Sequence, residues 1–305
     1  MEINGKTEVY GLIGNPVGHS FSPLIHNMLA EGTGRNLVYT TFPVEDPESI
    51  GDAVRGALAL GIRGMNVTVP YKSAVIPYLT EIDPVARAIG AVNTLVRIRD
   101  ENGNDLQPCG FKGYNTDYLG LFQALTEMGI SLDQRSVILI GAGGAARAAG
   151  FMCGSRGVKK LVILNRTAEK AEHLAADLRK EFADMEILTR PLEDAAGEAE
   201  KLQESGKVLA IQCTNVGLAP QSDRTPVEDP AFFRAVDEVY DCIYNPEETR
   251  FLALAREAGK PGRNGMDMLL WQGIIAYGFW TGAAVDDALT GRVREALYHF
   301  IQGKK

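Results

Sequence analysis

Cysteine is scarce in this chain and scattered where it occurs. Cys109, Cys153, Cys213 and Cys242 form no CxxC pair and no Cys/His spacing of a metal site. Isolated thiols in 305 residues suit a reducing compartment rather than a disulfide scaffold. Histidine is as sparse: His19, His26, His173 and His299 are too dispersed to suggest a ligand set, so no metal is expected. Long apolar runs are missing, and with them any candidate membrane span. Residues 1–10 are charged and short of apolar side chains, so no signal peptide is expected and the cytoplasm is the expected location. Excess positive charge is also absent. A formal net charge of -8 argues against a nucleic-acid binder working through an overall positive field. There is no internal repeat and no low-complexity tract.

What remains is an ordinary globular composition, 45% hydrophobic and 23% charged, over a length that allows two domains. Apolar runs and helical stretches alternate. Strands are expected at 9–13, 38–44, 64–69 and 91–99. Helices are expected from Pro23, with Ser22 as N-cap, to about 31, over 47–60, in two short pieces at 74–79 and 85–89, and from the GYNTD segment at 113–117 to about 128. Residues 100–109 read as an exposed loop or hairpin. A second series starts at Val137, with later strands at 186–189, 208–213 and 236–243. Two final helices span 268–281 and 286–301. Such alternation implies parallel or mostly parallel sheets covered on both faces, an α/β fold. The break between the series lies in 117–136. The last helices carry Leu269, Leu270, Trp271, Phe279 and Trp280, which need a surface to cover them, so the chain is expected to return to its first domain. The expected division is 1–116 with 267–305, and 117–266.

The most specific stretch is 135–170, RSVILI-GAGGAARAAGF…KKLVILNRTAEK. The strand from Val137 runs into Gly141, Ala142, Gly143, Gly144 and Ala145, and an alanine-rich helix follows. Glycines let a backbone approach a pyrophosphate, and the helix start supplies free N–H groups and a positive dipole end. The next strand ends in Asn165-Arg166-Thr167, with Lys170 one turn further on. A carboxylate there would bind a ribose 2′-hydroxyl; a guanidinium suits a 2′-phosphate, and so NADP. Asn165 and Thr167 are able to hydrogen-bond ribose and phosphate, and Thr167 also suits an N-cap. Without a ligand, the glycine turn is only a tight strand–helix corner, and the basic residues oppose the helix dipole.

Three groups in the first half carry candidate chemistry. Ser20 and Ser22 offer hydroxyls to a carboxylate, or Ser22 caps the helix that Pro23 begins. Lys72 follows the strand that Pro70 ends. It is either a surface lysine or one that faces a cleft and passes a proton to a developing alkoxide. Asp117 opens a helix, where it either caps the helix or pairs with Lys72 and a substrate hydroxyl. Asn93 closes an apolar strand, where a buried amide needs a partner.

In order and spacing, GLIGNPVGHSFSP, MNVTVPYK, GAVNTL, GYNTD, GAGGAARA, NRT, YDCIYNP and NGMDMLLWQG…WTG resemble the shikimate dehydrogenase family over residues 10–282. The resemblance implies an N-terminal α/β substrate domain, a Rossmann-like doubly wound NADP-binding domain, and interconversion of 3-dehydroshikimate and shikimate. It implies a catalytic pair in Lys72 and Asp117. It assigns the substrate carboxylate to Ser20 and Ser22, ring hydroxyls to Thr68, Asn93 and Gln272, and a wall of the site to Tyr244. Gly141 to Ala145 match the pyrophosphate loop, Asn165 to Thr167 with Lys170 the adenosine-phosphate pocket, and Gly265 and Met268 positions near the nicotinamide. Lys170 departs from a common arginine, and Asp267 from a small residue. The segment after Gly197 is long. Relatives with a longer second domain also accept quinate, so a quinate/shikimate dehydrogenase with broad substrate and cofactor use is the alternative enzyme. Ser22 weighs against it, since threonine there accompanies quinate preference. A dehydrogenase of an amino-shikimate analogue is a more distant enzyme. A non-catalytic NADP-binding sensor is the alternative of another class, and it has no need of both Lys72 and Asp117. A monomer or homodimer is expected.

Overall fold

The computed structural model of the chain describes residues 2–100 and 110–303. The loop or hairpin expected at 100–109 lies outside the described residues, apart from Asp100. Two compact units emerge, one comprising Met1–Gly120 and Leu270–Lys305, the other Leu121–Leu269.

The first unit begins β1 (Glu8–Gly14), α1 (Ser22–Gly32), β2 (Leu37–Pro43), α2 (Ile50–Ala59) and β3 (Gly64–Val67). It continues with β4 (Glu81–Ile82), α3 (Pro84–Ile89), β5 (Thr94–Arg97) and β6 (Phe111–Tyr114). Helix α4 (Asp117–Glu127) carries the chain into the second unit. Pro23 and Pro84 sit in first helical turns, where their missing N–H costs nothing. The single helix expected over 47–60 is two pieces, a 3-10 turn at Pro47–Ser49 and then α2. The piece expected at 74–79 is only a 3-10 turn, Ile76–Tyr78.

The sheet order is β2-β1-β3-β5-β6-β4. Strands β1, β2 and β3 are parallel, but β5 runs antiparallel to both β3 and β6, so this sheet is mixed. One core gathers Ile13, Val54, Met65, Val67, Tyr71 and Leu95. Fully burying each large apolar side chain stabilises the fold by roughly 1.5–3 kcal/mol.

The second unit holds β7 (Ser136–Ile140), α5 (Gly144–Ser155), β8 (Lys160–Leu164), α6 (Ala168–Glu181), β9 (Glu186–Arg190) and α7 (Ala195–Gln203). Then come β10 (Val208–Gln212), α8 (Pro230–Ala235), β11 (Glu238–Asp241), α9 (Arg250–Glu257) and β12 (Gly262–Arg263). Every pairing in the order β12-β11-β10-β7-β8-β9 is parallel. This is a doubly wound sheet of Rossmann type. All residues of β7 and β10 are buried, which explains the apolar runs Val137–Ile140 and Val208–Ile211.

The chain ends with α10 (Met266–Thr281) and α11 (Asp287–Gln302). The expected divisions at 116/117 and 266/267 fall at the starts of α4 and α10, about one turn before the contact boundary. Among the described residues, no helix is long and apolar enough to cross a membrane. Leu270 and Trp280 are buried, but Phe279 is exposed and leans on Tyr114, at 4.7 Å between rings.

Trp280 donates to the Leu95 carbonyl and joins an aromatic cluster with Tyr10, Tyr39 and His26. His26 is fully buried, stacked on Tyr39 at 4.3 Å, with Nε2 3.1 Å from Asn66 Oδ1. Among the described residues, its Nδ1 has no hydrogen-bond partner. Burial lowers its pKa from 6.5 to about 3. The unfolded chain therefore takes up a proton below about 6.5 that the folded chain refuses until about 3. The stability linked to His26 is complete above pH 6.5 and declines as pH falls through that window. His26→Phe keeps the stacking and removes the titration. Denaturant unfolding at pH 7 and pH 5 should show a smaller acid loss for the variant; equal losses would place the acid sensitivity elsewhere.

Candidate active site

In the first unit, the chain leaves β1 toward β2 on one side and returns in β3 on the other. That reversal is a topological switch point, where open α/β sheets form a crevice beyond their strand ends. Ser20 and Ser22 follow β1, and Thr68 follows β3, its N–H bonded to the Ile13 carbonyl at 2.9 Å. Ser20 Oγ donates to Ser22 Oγ at 3.1 Å and accepts from the Ser22 N–H at 3.2 Å. The helix-cap reading of Ser22 is corrected: Phe21 occupies the N-cap, without a side-chain cap, and Ser22 is already helical. Its hydroxyl is thus not committed to the helix end.

Lys72 and Asp117 meet. Lys72 Nζ lies 2.7 Å from Asp117 Oδ2, with the lysine side chain 19% and the aspartate side chain 7% exposed. The helix start is satisfied by a neighbour, since Asn115 Oδ1 accepts from the N–H groups of Asp117 and Tyr118. Asp117 is therefore free of capping duty. Its other oxygen, Oδ1, accepts from Asn93 Nδ2 at 2.9 Å. Asn93 Nδ2 also reaches Thr116 Oγ1 at 2.9 Å and Gln272 Oε1 at 3.3 Å, while its Oδ1 accepts from the Thr116 N–H at 2.7 Å. Behind it, Asn66 Nδ2 donates to the Asn93 carbonyl and to Thr94 Oγ1. Asn66, Asn93, Thr94, Thr116, Asp117 and Gln272 are all buried, so this connected network matters: an unpaired member would cost roughly 1–3 kcal/mol.

In the second unit, β7 and β10 flank the switch point, and Gly141 follows β7. Its φ is +115°, a conformation that side chains resist, and a Cβ there would press on Thr214 Cγ2 at 3.1 Å and on the Cys213 carbonyl group. Gly143 is the N-cap of α5 and offers no side-chain cap, and a Cβ built on it would meet nothing within 4 Å, so the first N–H groups of the helix, which follows Gly141 and Ala142 and begins Gly144-Ala145, are left without a side-chain acceptor at the cap. At the end of β8, Arg166, Thr167 and Lys170 are exposed and Asn165 is half-buried. Among the described residues, neither Arg166 nor Lys170 makes an ion pair. Thr167 stands at the N-cap of α6, but the capping expected of its side chain is not made. An uncapped helix start beside glycines and two uncompensated cations fit a phosphorylated dinucleotide.

Gly265 is pressed against Cys242, whose carbonyl oxygen would lie 2.2 Å from a Cβ. Met268 is buried, its N–H 3.3 Å from the Tyr240 hydroxyl. The departure at Asp267 is a buried carboxylate in the first turn of α10, paired with Arg263 Nη1 at 3.3 Å and favourable to the helix dipole. Tyr244 follows β11 and belongs to the second unit, unlike the other residues expected to touch substrate. Sequence reasoning did not find the supporting role of Thr94, or the 3.4 Å approach of Cys213 Sγ to Cys242 Sγ. A signal for the latter was present, as both cysteines sit at the ends of strands expected to be parallel.

A carboxylate-held lysine in one α/β unit and a dinucleotide-type switch point in the other are the parts of a dinucleotide-dependent dehydrogenase. Residues 12–95 match the shikimate dehydrogenase substrate binding domain, and residues 123–202 match shikimate / quinate 5-dehydrogenase. The NADP(+) shikimate dehydrogenase of Moorella thermoacetica is 42% identical over 97% of this chain and 96% of its own length. A crystal structure of shikimate dehydrogenase with NADP+ aligns with a TM-score of 0.83 and 36% identity over 97% of both chains. Shikimate 5-dehydrogenase of Listeria monocytogenes, solved with shikimate and NAD, aligns at 0.84 and 32% identity over 97% of this chain and 98% of its own. The chain belongs to the shikimate dehydrogenase family.

One tight and one open glycine environment separate folding from binding. Gly265→Ala forces a Cβ into backbone and should lower the thermal midpoint by several degrees. Gly143→Ala meets nothing within 4 Å and should leave the midpoint near the parent's while weakening NADP binding. Calorimetric melting and NADP titration read the two effects; a Gly143→Ala protein that binds NADP unchanged would remove that glycine from the pyrophosphate site.

Proposed function

We propose that this protein reduces 3-dehydroshikimate to shikimate with NADPH, reversibly, in aromatic amino-acid biosynthesis. The observation that carries the reading is the Lys72–Asp117 contact of 2.7 Å, anchored by Asn93, at the switch point of the first unit. When bound, NADPH supplies the hydride. Lys72 Nζ gives a proton to the ketone oxygen as it becomes an alkoxide, and takes it back in the reverse direction. Asp117 keeps the ammonium in place and accepts a substrate hydroxyl. Ser20 and Ser22 hold the substrate carboxylate without introducing a buried cation. Thr68, Asn93 and Gln272 sort the ring hydroxyls, and Tyr244 lines the site.

Gly141, Ala142, Gly143, Gly144 and Ala145 take the pyrophosphate. Asn165, Arg166, Thr167 and Lys170 take the 2′-phosphate end, and Gly265 and Met268 lie by the nicotinamide. The substrate domain then corresponds to 1–116 with 267–305, and the cofactor domain to 117–266. We place the protein in the cytoplasm, as a monomer or homodimer.

Steady-state assays following NADPH absorbance test the assignment. Lys72→Ala should lower kcat by about 100-fold or more, with a smaller change in KM. An unchanged kcat would take Lys72 out of the mechanism. Arg166→Ala should weaken NADP by about 1.5–3 kcal/mol, the worth of a charge-assisted contact, and leave NAD nearly unaffected. Equal loss for both cofactors would contradict a 2′-phosphate role.

A further inference from the structure

Cys213 and Cys242 follow neighbouring parallel strands, β10 and β11, with Sγ atoms 3.4 Å apart. Cys213 is buried and Cys242 half-exposed. Their backbones are fixed into the floor of the dinucleotide switch point. The Cys213 N–H donates to the Ile140 carbonyl and the Cys242 N–H to the Gln212 carbonyl, both at 2.8 Å. Gly141 abuts the Cys213 carbonyl group and Gly265 abuts the Cys242 backbone. We propose that Cys213 and Cys242 form a redox-active dithiol that closes reversibly to a disulfide, and that closure weakens dinucleotide binding. The binding half of this inference rests on the proposed NADP site.

The oxidant is a small organic disulfide of the glutathione class. Sγ of Cys242, the more exposed of the two cysteines, attacks one sulfur of the reagent as a thiolate and expels the first small thiolate. Cys213 Sγ then attacks the Cys242 sulfur of the mixed disulfide, breaks that bond and expels the second. The two protons lost by the cysteines end on the two released thiols, and the protein's two electrons have reduced the reagent. The hydrogen bond with the Cys242 sulfur and burial hold the Cys213 thiol well above its ordinary pKa, and Cys242 is the more exposed of the two, so Cys242 is the attacking group in the first step. A disulfide is about 2.05 Å long, so the sulfurs must approach by more than an ångström from their 3.4 Å separation. Both backbones are already in contact with glycines that tolerate no intrusion, and movement there is felt where the pyrophosphate and nicotinamide are held. Linkage makes the effect reciprocal: bound NADP opposes closure.

The test uses the intact chain, equilibrated with oxidised or reduced glutathione and mapped by mass spectrometry without reduction. The expected oxidised product is lighter by two hydrogens, with one cross-linked peptide joining Cys213 to Cys242, and dithiothreitol reverses it. NADP titration should give a Kd raised about tenfold on oxidation, within the usual range of site coupling. Cys242→Ser should bind NADP equally before and after oxidant, with Cys242→Ala serving if the serine variant does not fold. Pairing through another cysteine, a glutathione adduct that never closes, or the same Kd in both states would overturn the inference. Failure of the reduced protein to bind NADP counts instead against the proposed function, and the mapped disulfide then decides the redox pair by itself.

Discussion

An ammonium and a carboxylate withdrawn from water are costly to maintain, and the first unit is organised around one such pair. Lys72 and Asp117 come from segments distant in sequence, one just past a sheet strand and one at a helix start. The desolvation of each is offset only if both stay paired and their remaining atoms stay bonded. Asn93 meets that requirement on the Asp117 side, and Thr116, Thr94, Asn66 and Gln272 hold Asn93. The network therefore does for position what the ion pair alone does not: it holds the Asp117 carboxylate against which the lysine ammonium rests. Removing a network member leaves a buried polar group without a partner, so its effect on chemistry and its effect on folding share one origin.

The second unit solves a different problem with backbone rather than side chains. A fully parallel sheet aligns its strand ends on one edge, and the reversal between β7 and β10 opens that edge to a ligand. Gly141 accepts a conformation that other residues resist, and Gly265 accepts a contact that a Cβ forbids. Arg166 and Lys170 then stand near the start of α6, where cations are disfavoured unless an anion arrives.

Much of this was legible in the residues. The alternation of apolar runs and glycine or proline punctuation placed the main strands and helices, because strands buried on both faces read as unbroken apolar runs. What escaped was short or set by tertiary pairing. Strands β4 and β12 have only two residues each, too few for periodicity to register. The antiparallel course of β5 depends on which strands it joins, not on its own sequence. Capping was misassigned at Ser22, which is already helical, while Thr167 does occupy the N-cap of α6 without its side chain making the cap, since serine and threonine fit a cap in general and only local backbone geometry decides. The pairing of Lys72 with Asp117 was expected, but the network behind Asn93 was not, because buried amides and hydroxyls carry no periodic mark. Nor was the proximity of Cys213 and Cys242, which depends on the register between β10 and β11.

The most direct measurement is absorbance at the reduced-nicotinamide band, with the purified protein offered shikimate or quinate, each with NADP or NAD. Strong turnover confined to shikimate with NADP is the expected result of the proposed roles of Lys72, Asp117 and Arg166. Comparable rates with quinate or NAD would contradict the narrow specificity, and no turnover under any of the four conditions would contradict the enzyme itself.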